Sequence, residues 1–391
     1  MDERYDVVAI GGGPAGAMAA WKSAQAGVKT LLLERDREIG LPVRCAEAAS
    51  TAWFECHFKP EDRFIANRVV AQEYVGPDGA AVVVEGDNKG VVLERRIFDA
   101  HIAALAAKAG AEVATRADAT GMEKVENGWK LSGTHQGKPI RLEARVVIAS
   151  DGVESRVARW AGVDTTLSLS DLESAAQYDM ANIEVANPHH LYYYLENEIA
   201  PGGYCWVFPK GDSRANVGIG VLASRTGKKK AKQLLDEFIG ARFPRGRAVG
   251  FVTGGVPVAR PLKELAVDNL LIVGDAARIV DPLSGAGIEA ALLSGCLAGE
   301  PAGKAIIDNR CGIDFLKTYS DRLNGMLGKA LGINYRIKNI VQKLSDEEFC
   351  RVVDLASKAA PGKTSLLKML TIIVRNDPRL LLDLPKLFTR K

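Results

Sequence analysis

At 391 residues the chain is longer than a single hydrophobic core supports, so two or three lobes are expected. Its hydrophobic content of 47% and charged content of 25% are those of an ordinary globular enzyme, and a net charge of +3 is too small to argue for nucleic acid as a partner. The six cysteines (Cys45, Cys56, Cys205, Cys296, Cys311 and Cys350) form no C-x-x-C pair and so offer no metal site, and with neither a secretory signal nor a long apolar run the expected setting is cytoplasmic and reducing.

Residues 5–10 form a short apolar run that ends in GGGPAG. Residues 17–25 then read as a helix, and residues 30–33 as a second buried strand closed by Glu34. This is a βαβ unit with Gly11-x-Gly13-x-x-Gly16 between strand and helix and an acidic residue about 20 positions further on. Gly11 permits the tight turn, Gly13 lets backbone approach a pyrophosphate, and Gly16 lets helix and strand pack closely. The helix N-terminus offers free N–H groups to phosphate, and Glu34 is set to accept hydrogen bonds from a ribose diol.

A helical stretch follows at 98–109, ending in Gly110. Residues 144–149 are another buried strand, running straight into Asp151-Gly152. The middle third changes character: 190–195, 203–209 and 215–222 are alternating, aromatic-rich runs between turn residues, read as an antiparallel sheet. Residues 270–273 return to the parallel-strand style and end at Gly274-Asp275, and from about 286 the pattern is helical to the C-terminus. Gly285-x-Gly287-x-x-Ala290 formally repeats the glycine motif, but its preceding strand ends ten residues too early for a nicotinamide site.

The fold class is therefore α/β: a Rossmann-type dinucleotide lobe, a second lobe on an antiparallel sheet, and a helical C-terminal region. The expected boundaries are 1–165 with 250–305 for the first, 166–249 for the second, and 306–391 for the third. Strand-end Asp151-Gly152 and Gly274-Asp275, and a helix starting near Ile288, favour FAD over NAD. Such aspartates can bond ribityl hydroxyls, and the helix dipole suits the negative edge of reduced flavin.

The order GxGxxG…Glu34, Arg95-x-x-Phe98-Asp99, Asp151-Gly152 and Gly274-Asp275…Gly285-x-Gly287 resembles flavoproteins of the p-hydroxybenzoate hydroxylase fold. Within that fold, residues 40–47 (GLPVRCAE), 203–210 (GYCWVFPK) and 281–287 (DPLSGAG) resemble geranylgeranyl reductases of the archaeal digeranylgeranylglycerophospholipid type. The resemblance implies reduction of isolated prenyl double bonds with tightly held FAD, on a prenylated lipid substrate. It also implies that Ala15, Glu34, Cys45, Ala46, Ala48, Arg95, Asp275, Gly287 and Ile288 contact FAD, with Ala119 near the adenine end. Many relatives have glycine at positions 46 and 48, and the 151–155 segment lacks the arginine three residues after Ser155 that aromatic hydroxylases show. The electron donor is left open between NAD(P)H, ferredoxin and a deazaflavin. Rival readings are a flavin monooxygenase of the same fold and an electron-transfer flavoprotein to quinone oxidoreductase, whose cysteine-rich iron–sulfur module is absent here.

An isolated alkene has no carbonyl to polarise it, so hydride delivery needs a proton source on the other alkene carbon. Cys45, beside Arg44, is the candidate donor, with an inert packed thiol as the alternative. Tyr204, Trp206 and Phe208 alternate and share one strand face, as the wall of a prenyl channel or as ordinary core. The apolar and basic tail at 363–391 can lie on an anionic membrane surface or pack on the body.

Overall fold

The computed structural model describes residues 2–51, Phe58 and residues 60–359, leaving aside the side chains of 86–89 and 359. The tail at 363–391, expected as a membrane contact, and Cys56 lie outside the described residues. The chain divides into two compact units.

The first unit comprises the described parts of Met1–Val43, Arg95–Leu167 and Pro257–Gly332. Arg4–Ile10 pairs in parallel with Thr30–Leu33 on one side and Lys138–Ala149 on the other, and Leu270–Ile272 extends the sheet in parallel beyond the latter. Val7, Val8, Ala9, Leu31, Leu32, Val146, Val147, Ile148 and Leu271 are fully buried, as expected for parallel strands covered on both faces. The first helix runs Pro14–Gln25, three residues earlier than the apolar pattern suggested, because Pro14 is well suited to the first helical turn. It lies against Ile288–Ile307 through a stripe of small residues. A Cβ at Gly295 or Gly299 would collide with the carbonyl oxygens of Ala15 or Ala19, and Ser23 Oγ donates to Gly299 O at 3.1 Å.

The second unit comprises the described parts of Arg44–Glu94, Ser168–Val256 and Ile333–Lys391. Its eight-stranded sheet runs in the order Arg247–Pro257, Leu172–Ala181, Arg214–Leu222, Tyr204–Gly211, His190–Tyr194, Ile65–Val75, Ala81–Leu93, Ala48–Ser50. The three alternating runs of the middle third are all present. His190–Tyr194 pairs in parallel with Ile65–Val75, so the sheet is not purely antiparallel. Residues 65–75 and 81–93, which fall within the 1–165 bounds expected for the first lobe and were not read as strands, belong to this sheet. Register shifts between Ile65 and Asn67 and between Val69 and Ala71 break their two-residue alternation, which hides them in the sequence. One face of the sheet packs Ala176, Met180, Cys205, Val207, Val217 and Ile219 against Leu234, Leu235 and Phe238 of helix Ala231–Arg242. The other face carries the aromatic row. No helix among the described residues is long and apolar enough to cross a membrane.

Candidate functional site

In the first unit the glycine turn has the geometry its residue types suggest. Gly11 has φ 110°, and a Cβ there would collide with Ser150 O. A Cβ on Gly16 would collide with Gly11 O and Ser150 Oγ, which itself donates to Ile10 O and Gly11 O at 2.8 and 3.0 Å. Gly13, the N-cap of Pro14–Gln25, differs: a Cβ there meets no described atom within 4 Å. Two glycines are thus demanded by the protein's own packing, while the third faces open space at a helix N-terminus of 12 residues, where a pyrophosphate would bind. The residues fit a dinucleotide.

Glu34 closes its strand with both oxygens engaged. Oε2 accepts the Gly12 N–H at 2.7 Å and Oε1 accepts the Asp36 N–H at 2.8 Å. Burial pushes its carboxyl above the ordinary range, and the two amide donors oppose that. The carboxylate is aimed by the turn it borders. Ala119 lies on Ala117–Val125, whose first N–H donates to Glu34 O at 2.8 Å. Ala15, on the first helix, is buried.

Arg95 makes a two-pronged pair with Asp99, Nε to Oδ1 at 2.7 Å and Nη2 to Oδ2 at 2.8 Å. Its guanidinium also opposes the upward push that burial gives the Asp275 carboxyl. Gly287 caps helix Ile288–Ile307, and a Cβ on it would lie 3.5 Å from Asp275 Oδ1. Asp281 shapes that entry: its Oδ1 accepts the Leu283 N–H at 2.9 Å and its Oδ2 the Ser284 hydroxyl at 3.0 Å. Asp151 accepts the Val157 N–H at 3.0 Å through one oxygen, while the other is buried without a partner among the described residues.

Gly11, Gly13, Ala15, Gly16, Glu34, Arg95, Ala119, Asp275, Gly287 and Ile288 therefore all fall in the first unit, and Cys45, Ala46 and Ala48 in the second. There Tyr204, Trp206 and Phe208 share one sheet face with Lys210, following the two-residue period. Trp206 is 8% and Phe208 4% exposed, and Tyr204 is half-buried. Tyr193 stacks among them, its ring 5.4 Å from Tyr204, 5.2 Å from Phe208 and 5.0 Å from Tyr74. Val69, Val92 and Leu191 complete the apolar surface, with Ala46 and Ala48 against it. Glycines on the neighbouring strand make room. A Cβ at Gly218 would collide with the Trp206 indole, and one at Gly220 would lie 2.7 Å from Glu173 Oε2.

Cys45 is half-exposed, and its Sγ accepts the Glu47 N–H at 3.2 Å. Glu47, Lys210, Asn216 and Gln177 gather around this turn, and the motif reading singled out none of them for a role. Only Glu47 and Lys210 stood inside the quoted segments, as the last residues of GLPVRCAE and GYCWVFPK. Cys205, on the opposite face, sits in the apolar core, where burial pushes its thiol far up and makes it inert.

A family model described as the geranylgeranyl reductase catalytic domain matches residues 171–256, and one described as glucose inhibited division protein A matches residues 6–57. The digeranylgeranylglycerophospholipid reductase of Methanocella arvoryzae is 40% identical over 394 residues, covering 98% of this chain and 99% of that protein. A geranylgeranyl bacteriochlorophyll reductase-like structure from Thermoplasma acidophilum is 36% identical with a TM-score of 0.92, covering 99% of this chain and all of that one. The halogenase PltM, solved in complex with phloroglucinol and FAD, has a TM-score of 0.70 over 99% of this chain and 86% of its own at 15% identity, and so shares the fold alone.

Proposed function

The chain belongs to the digeranylgeranylglycerophospholipid reductase family, and on that premise we propose that it saturates isolated double bonds of geranylgeranyl chains on a membrane lipid with bound FAD. The observation that carries this reading is that similarity to reductases of that name runs through both units rather than stopping at the dinucleotide turn. Halogenases share the fold without that identity. FAD over FMN is supported by the Glu34 carboxylate, fixed where a ribose diol of an adenosine half would be held.

When bound, reduced flavin supplies the hydride. The chain's own residues have three further tasks. The apolar row of Tyr193, Tyr204, Trp206 and Phe208 takes the prenyl chain by contact and keeps water off it. The Cys45 thiol gives its proton to the alkene carbon that does not receive hydride. The Glu47 N–H, already directed at Sγ, steadies the sulfur left behind. Electrons come from NAD(P)H, a ferredoxin or a deazaflavin, and the lipid is met at a membrane surface.

The test is mass spectrometry of lipids from a host that makes geranylgeranyl chains, with and without this protein. The expected result is a gain of one H2 per saturated bond. Oxygen incorporation without hydrogen gain would assign the chain to the monooxygenase reading instead.

A further inference from the structure

The turn carrying Cys45 is held at three successive residues by side chains from the sheet of the same unit. Gln177 Nε2 donates to Cys45 O at 2.9 Å, and its Oε1 accepts the Trp206 indole N–H at 3.0 Å. Asn216 Nδ2 donates to Ala46 O at 3.1 Å and to Glu47 Oε2 at 2.7 Å. Lys210 Nζ donates to that same carboxylate oxygen at 2.6 Å and to Glu94 Oε2 at 3.0 Å. The side chains of Lys210 and Glu47 are each only 4% exposed.

A buried ammonium–carboxylate pair is a poor way to stabilise a sheet. Its desolvation cost commonly matches or exceeds its attraction, and apolar residues of the same volume often do as well. What this pair does fix is backbone. Glu47 has φ 72°, a left-handed conformation that a residue with a Cβ avoids unless its surroundings impose it. In that conformation its N–H points back at Cys45 Sγ, and its carbonyl accepts the Leu93 N–H at 2.9 Å.

We propose that Lys210, Asn216 and Gln177 are positioning residues for the Cys45 thiol, holding the 45–47 turn so that the Glu47 N–H stays on Sγ. A donor on sulfur favours the thiolate that proton donation leaves, so the network makes Cys45 a better acid without touching substrate. The reason for the role rests on Cys45 being the proton donor, but the positioning itself can be measured separately.

The readout is the pH midpoint of Cys45 alkylation by iodoacetamide in flavin-loaded protein, followed on the Cys45 peptide by mass spectrometry. Two variants are compared with wild type: Lys210→Met, and the charge-balanced Glu47→Gln with Lys210→Met, which leaves no buried orphan charge if the single change prevents folding. Loss of the N–H on sulfur should move the midpoint up by about one pH unit. A merely structural role changes the plateau rate through exposure and leaves the midpoint in place. An unmoved midpoint in the folded double variant overturns the proposal, whatever happens to activity. A raised midpoint with undiminished lipid saturation keeps the positioning role and removes Cys45 as the proton donor.

Discussion

Glu173 offers a measurement whose size follows from its surroundings. It stands on Leu172–Ala181 opposite Leu222, is 9% exposed, and makes no hydrogen bond or ion pair among the described residues. Burial pushes its carboxyl from 4.5 up to about 7, opposed only by the charge of Lys338, whose ammonium is itself engaged with Asp171 at 3.0 Å. Because the folded state holds this proton more tightly than the unfolded state, the contribution of Glu173 to stability falls as pH rises from 4.5 to about 7 and levels off above that. At about 1.4 kcal/mol per unit the full penalty is about 3 kcal/mol, most of which develops between about pH 5 and about pH 8. Glu173→Gln removes the titration. Its stability relative to wild type should therefore be about 2–3 kcal/mol more favourable at the higher pH. The cost of burying the amide is the same at both pH values and cancels. Urea unfolding at each pH, with unchanged denaturant slopes, gives the four stabilities needed. A difference below about 0.5 kcal/mol, or one of opposite sign, would show that Glu173 is solvated or paired in the folded protein.

Cys45→Ser keeps a hydroxyl but makes a much poorer acid, so lipid saturation should slow by about 10²-fold or more with flavin reduction unchanged. Cys205→Ser, on the core face, should cost far less, and equal rates in wild type and Cys45→Ser would leave the thiol as packing. Gly16→Ala should destabilise the flavin-free protein by about 1–3 kcal/mol, since its Cβ collides with Gly11 O. The Cβ of Gly13→Ala meets no described atom, so apoprotein stability should fall by no more than about 1 kcal/mol, the N-cap preference for glycine over alanine, while retained flavin, read from absorbance, is lowered. Full flavin retention in Gly13→Ala would remove the pyrophosphate from this turn. Glu34→Ala should lower flavin retention and also destabilise the apoprotein by about 1–3 kcal/mol, because the Gly12 and Asp36 amides lose their acceptor; a melting curve identical to wild type would contradict the second effect.

The glycine turn and Glu34 were legible because a dinucleotide turn is written in one contiguous stretch, where spacing alone encodes geometry. The shared face of Tyr204, Trp206 and Phe208 was legible for the same reason. The network around Cys45 was not. Lys210 and Glu47 stand 163 positions apart, Asn216 and Glu47 169, and Gln177 and Cys45 132. They meet only because Leu172–Ala181, Arg214–Leu222 and Tyr204–Gly211 are neighbours in the sheet, and strand order is not readable from one sequence. Gly295, Gly299 and Gly303 recur every four residues but were not singled out, because the period acquires meaning only from Ala15, Ala19 and Ala26 opposite.

One strand shows how the aromatic face combines apolar contact with chemistry. Glu173, Ala175 and Gln177 follow each other at the two-residue period on Leu172–Ala181, above Gly220 and Gly218 of the adjoining strand. Gln177 is engaged at both ends of its amide, taking the indole N–H and holding the Cys45 carbonyl, so it places a polar turn at the edge of an apolar surface with neither amide atom left without a partner. Glu173, four residues away and therefore about 13 Å along the strand, has no such partner, and burial lets it keep its proton up to about pH 7. Below about pH 7 this face is thus uncharged over the aromatic row, and ion pairs such as Lys210–Glu47 and Arg214–Asp179 stand toward one end of it. A prenyl chain lying on that row would meet neutral groups along its length and a positioned thiol at one end. Saturation should accordingly weaken as pH rises through about 7 and Glu173 ionises, and Glu173→Gln should flatten that dependence. A pH profile of lipid saturation unchanged by Glu173→Gln would place the chain elsewhere than on this face.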